Sequence, residues 1–90
     1  MSTTKIMEMC KAAGNTERMN ILVLLKNDKM NVTSILKHVS IKQSTLSHHL
    51  TILFESGLLN KEEKGREIFY SMNKEAVKAL GNSLIEFAEN

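Results

Sequence analysis

The chain has 90 residues, 42% hydrophobic and 24% charged, and a formal net charge of +2. That balance excludes a disordered tail or linker, and the one cysteine, Cys10, excludes an internal disulfide. The length allows one domain, 1–90, which would bury only about 60–70% of its unfolded surface, so oligomerisation is an expected source of stability.

The charge is uneven. Residues 1–32 carry five basic and three acidic side chains, residues 33–66 five and three, and residues 67–90 two and four. All three histidines lie in the middle block, which is where an anionic partner would bind. The opening MSTTKIMEM lacks an apolar core of signal-peptide length, and no segment reads as a membrane span. A soluble cytoplasmic protein without a membrane partner is the expectation.

In chain order, residues 3–13 place Ile6, Cys10 and Ala13 at helical spacing. Gly14-Asn15-Thr16 interrupts that helix, and Asn15 or Thr16 is placed to cap the next. Residues 17–26 are apolar nearly all round, the pattern of a central buried helix. Residues 26–29 read as a loop, 30–32 as a short strand, and Thr33 as the cap of a short helix carrying Ile35, Leu36 and Val39. After the turn Ser40-Ile41-Lys42, a longer helix runs from about Gln43 to Ser56 and is ended by Gly57. Residues 58–63 and 67–72 flank Lys64-Gly65-Arg66 as a β-hairpin. Residues 74–88 close the chain as a helix with Val77, Leu80, Leu84 and Phe87 on one side. The predicted fold is mainly α with a small β-hairpin wing, a winged helix-turn-helix of order α-α-β-α-α-β-β-α.

The stretch QSTLSHHL opens the longer helix. Wound at about 100° per residue, the helix collects Leu46, Leu50, Leu53 and Phe54 on a core-facing side. Ser44, Ser47, His48, Thr51 and Glu55 collect opposite. His49 falls at the apolar edge, so the two histidines diverge and cannot share one metal ion. Short donors and acceptors on a narrow helix suit a major groove. His48 is expected to meet a groove or phosphate, and His49 to be a half-buried structural histidine. Gly65 supplies the positive φ of a hairpin tip. Lys64 and Arg66 beside it are positioned for phosphates or a minor groove, with Lys37 and Lys42 as further backbone contacts.

ERMNIL (17–22), QSTLSHHL (43–50), ESGLL (55–59) and KGREIFYSM (64–72) together resemble the ArsR/SmtB family of winged-helix repressors. The resemblance covers about two-thirds of the chain. It implies a homodimer repressing transcription from an inverted-repeat operator in double-stranded DNA. It places Gln43, Ser44, Ser47 and His48 among the reading-helix contacts and Arg66 at the wing tip, and Lys42, Thr45 and Lys64 complete the expected DNA-binding set. It also makes 3–13 and 74–88 the dimerisation helices, with Ile6, Cys10, Leu80, Leu84 and Phe87 at the interface.

The family's metal ligands do not carry over. The positions matching its CxC pair and following acid are Asn31, Thr33 and Ser34, and residues 74–88 contain neither histidine nor aspartate. No metal site and no cofactor are expected. Cys10 and Met7 form an i, i+3 pair of soft donors of the type that suits Cu(I), but such residues on an apolar stripe are ordinary packing material. An enzyme is not expected: Ser44 or Ser47 beside a histidine lacks a third orienting group and a cleft. The alternative is a winged helix that docks protein and binds no DNA.

Overall fold

The computed structural model describes residues 1–89. Five helices and three short strands follow in the predicted order: α1 (Thr3–Ala13), α2 (Thr16–Leu24), β1 (Met30–Asn31), α3 (Val32–Leu36), α4 (Gln43–Glu55), β2 (Leu59–Lys64), β3 (Glu67–Met72) and α5 (Lys74–Glu89). Four of the helix starts have a side-chain cap. Ser2 accepts from the Lys5 amide, Asn15 from Arg18, Asn31 from Ser34 and Asn73 from Ala76. Each supplies a first-turn amide with the partner that the helix lacks. At α3 this corrects the expectation for Thr33, because Asn31 takes the capping role and Thr33 lies inside the helix.

The end of α4 shows why its direction is well defined. Gly57, at φ 90°, follows the C-cap Ser56. The Leu58 amide returns to the Leu53 carbonyl and the Gly57 amide to the Phe54 carbonyl, each at 3.0 Å. This pair of bonds is a Schellman motif, whose left-handed position favours glycine. A Cβ on Gly57 would also lie 3.4 Å from Met9 Cε, so α1 crosses close to this corner.

The strands form one antiparallel sheet of order β1-β3-β2. Leu59 pairs with Met72 and Lys64 with Glu67, which leaves Gly65-Arg66 as a two-residue turn. Gly65 has φ 63° and Arg66 does not have positive φ, the signature of a II′ hairpin. β2 therefore runs one residue further than expected and takes Lys64 into the ladder. β1 adds Met30 opposite Tyr70 and Asn31 opposite Phe69.

The core lies between α1, α2, α3, α4 and the base of the hairpin. Its buried members include Met9, Ala12, Ile21, Leu25, Ile35, Leu46, Leu50, Leu53 and Leu58. Two expectations change. Residues 17–26 do not form a helix buried all round: Ile21, Leu22 and Leu25 are buried, whereas Met19 and Val23 are exposed. Phe54 does not face the core. It is 37% exposed at the end of α4, with Lys61 Nζ of β2 over its ring at 4.3 Å, a cation–π contact between wing and helix.

Candidate nucleic-acid interface

Leu46, Leu50 and Leu53 are 0–1% exposed, which turns that side of α4 toward the core. Ser44, Thr45, Ser47, His48, Thr51 and Glu55 are all exposed, as are Lys42 and Gln43 at its start. The outward face begins with short hydrogen-bonding side chains and a cation. Thr51 is less available than its exposure suggests, because its hydroxyl donates to the Ser47 carbonyl at 2.9 Å. That leaves Gln43, Ser44, Thr45, Ser47 and His48 as the outward donors and acceptors along the first two turns.

Two features sharpen the electrostatics. Between Val32 and Phe54 the sequence contains no aspartate or glutamate, while Lys37, His38, Lys42 and His48 are all exposed there. From the start of α3 to Phe54 no carboxylate repels a polyanion, and Glu55 stands only at the far end of α4. The N-cap of α4, Lys42, makes no side-chain cap bond, unlike the other four helix starts. The unpaired first-turn amides of α4 and the positive end of its dipole are thus open to phosphate oxygens.

The hairpin is more balanced. Lys61, Lys64 and Arg66 alternate with Glu62, Glu63 and Glu67, and all six are exposed. Two of the acids are engaged along the sheet: Glu62 with Lys29 at 2.8 Å and Glu67 with the Asn31 amide at 3.1 Å. Lys29 beside it holds the Glu62 carboxyl below its ordinary range. Burial pushes the Tyr70 phenol up. Arg66 also lines a surface depression with Asn31, Thr33 and Tyr70, between the wing and the start of α3.

His49 is 7% exposed, as expected of a structural histidine, and its polar partners are well defined. Nε2 lies 2.7 Å from Glu17 Oε2 and Nδ1 lies 3.2 Å from Arg18 Nη1. Sequence reading did not find these partners. The available signal was chemical: a buried imidazole needs hydrogen bonds on both edges, and Glu17-Arg18 is an adjacent acid and base at the start of the neighbouring helix. The interface residues expected on the terminal helices divide. Cys10, Leu84 and Phe87 are exposed, whereas Ile6 is half-buried and Leu80 packs against the subunit's own core.

A sequence profile described as bacterial regulatory protein, arsR family, matches residues 15–61. The chain belongs to the ArsR family. Relatives include the transcriptional activator HlyU of Vibrio cholerae, 30% identical over 88% of this chain and 73% of its own length. The transcriptional repressor SdpR of Bacillus subtilis is 34% identical over 86% of each chain. A homodimeric winged helix-turn-helix DNA-binding domain from Mycobacterium bovis superposes with a TM-score of 0.78 over 96% of this chain and 81% of its own, at 22% identity, and shares the fold. This ArsR-family chain is a DNA-binding transcriptional regulator and not an enzyme. Family membership favours that function over the protein-docking alternative. No helix among the described residues is long and apolar enough to cross a membrane.

Proposed function

We propose that two copies of this chain pair through α1 and α5 and present their α4 helices to an inverted-repeat operator, where the dimer represses transcription. The outward face of α4, free of carboxylates until its last residue, Glu55, carries this reading. Gln43, Ser44, Ser47 and His48 reach base edges or phosphates in the major groove. Lys42 and Thr45 add phosphate contacts at the helix start, and Lys64 and Arg66 follow the backbone or adjacent minor groove from the wing. The whole chain acts as one domain, with its first and last helices serving both its own core and the pairing.

The pairing surface is supported by apolar side chains that one subunit leaves uncovered. Met7 is 64% exposed, Leu84 42%, Ile85 56% and Phe87 78%. With Cys10 and the partly covered Ile6 and Leu80, they supply apolar area on both terminal helices. The homodimeric relative of the same fold and the repressor SdpR favour a dimeric repressor. The positions corresponding to the family's CxC pair and following acid are Asn31, Thr33 and Ser34, and Asn31 is occupied in capping α3 and bonding Glu67. A regulator that does not respond to metal through those positions is the reading that these side chains support.

Selection of genomic fragments with the purified chain, followed by titration of the recovered duplex at several salt concentrations, tests the function. A dimer making 6–10 phosphate contacts should lose roughly 10³–10⁵ in affinity between about 50 and 200 mM salt. Half-sites should lie about one helical turn apart. Binding indifferent to salt, or one monomer per duplex, would refute the proposal.

A further inference from the structure

The Arg18 guanidinium connects three helices. Nε donates to the Ala12 carbonyl at 2.6 Å and Nη2 to the Lys11 carbonyl at 3.4 Å, both in the last turn of α1. Nη1 donates to His49 Nδ1 in the middle of α4. A guanidinium only donates, so Nδ1 must accept and the ring proton sits on Nε2, which donates to Glu17 Oε2. Neighbouring residues at the start of α2 thus hold opposite edges of one imidazole and fix its rotation.

The setting shows what this tie contributes. Between α1 and α4 lies a surface cleft of about 490 Å³, lined by Glu8, Lys11, Ile52 and Glu55 as well as Arg18. Side-chain packing does not fill that space, and the arginine forms part of its wall. His49 adjoins His48, and any roll of α4 that moves the buried ring also moves the outward Ser44, Ser47 and His48.

We propose that Arg18 is a positioning residue that sets the α4 reading face relative to the α1 pairing helix, with His49 as its receiver on α4. The proposal rests on the reading above, in which α1 pairs subunits and α4 meets DNA. In this role Arg18 acts through the α1 carbonyls and the His49 ring. Its effect is on specificity: unrelated DNA needs only the cations, whereas a correct operator needs both reading faces at a set angle. The polar tie gives direction that leucine packing alone does not supply.

The test compares the duplex recovered from genomic selection with an unrelated duplex of equal length. Arg18→Met and His49→Leu should each bind the selected duplex about tenfold more weakly, the scale of a hydrogen bond to a charged group. Binding of the unrelated duplex should change by less than about twofold. His49→Gln should stay within about twofold of the parent, because its amide can accept from Arg18 and donate to Glu17. The double variant Arg18→Met/His49→Leu should be no weaker than either single change. Equal loss on both duplexes, or undiminished binding of the selected one, would overturn the positioning role. If Arg18→Met does not fold by circular dichroism, the two His49 variants decide, and equal affinities for the selected duplex would overturn it. A parent chain that selects no duplex would instead remove the functional reading itself.

Discussion

At the scale of single residues, adjacent histidines have opposite fates. His48 is exposed beside Ser44 and Ser47, while His49 is buried between Glu17 and Arg18, and their ring centroids are 6.1 Å apart. The divergence was legible from the 100° step of a helix. The partners of His49 were not, because they lie more than thirty residues earlier and only the tertiary fold brings them together. His48→Ala and Ser44→Ala should each weaken binding of the selected duplex by roughly tenfold, as loss of a base contact does. The thermal melt should move little, since neither side chain is buried. A large fall in melting temperature with unchanged DNA affinity would mean that these groups support the fold.

At the scale of elements, local chemistry was read well wherever the determinant was local. Gly57 after α4, Gly65 in the hairpin and Asn15 at α2 each act over a few residues, and each stands where the sequence placed it. The errors arise where a second element intervenes. Phe54 shares the helical side of the leucines, but the end of α4 lies beside β2, and Lys61 covers the ring instead of the core. The all-apolar run of α2 contains more hydrophobic surface than one small subunit buries, so Met19 and Val23 remain outside. Thr33 was a reasonable cap by type, but Asn31 lies at the turn where β1 ends and α3 begins. The wing also has an acid-sensitive fastening. Lys29 donates to Glu62 and depresses its pKa, so the stabilisation is present above the unfolded carboxyl value and is lost as pH falls through the lower folded value. The melting temperature of the parent should therefore fall more steeply between about pH 5 and 3 than that of Glu62→Gln. Parallel acid limbs would show that the pair contributes nothing.

At the scale of the whole molecule, the chain is elongated, 45 × 25 × 20 Å, with a radius of gyration of 13.6 Å, against about 12 Å expected for a compact domain of its length. The extension goes with α5, whose described residues include none that is buried. Its first half, through Ala76, Val77 and Leu80, packs on the subunit, and the same stripe continues into exposed Leu84 and Phe87. Hydrophobic periodicity revealed the stripe but not where one subunit stops covering it. Because Leu80 serves the subunit's own core, Leu84 is the cleaner position for testing the pairing surface. Leu84→Glu should sediment as a monomer with a near-parental far-ultraviolet spectrum and poor affinity for the selected duplex. A dimer that persists would place the contact elsewhere.

Asn73 does more than begin α5. Its Oδ1 caps that helix, its Nδ2 donates to the Gly57 carbonyl at 3.1 Å, and its backbone amide donates to the Leu58 carbonyl at 2.9 Å. The last helix is therefore latched to the corner where α4 ends. In the paired form proposed above, this latch would make the gap between two reading heads a built-in length. Such a regulator would gauge the separation of its half-sites as well as their letters, rejecting a correct sequence cut to the wrong span.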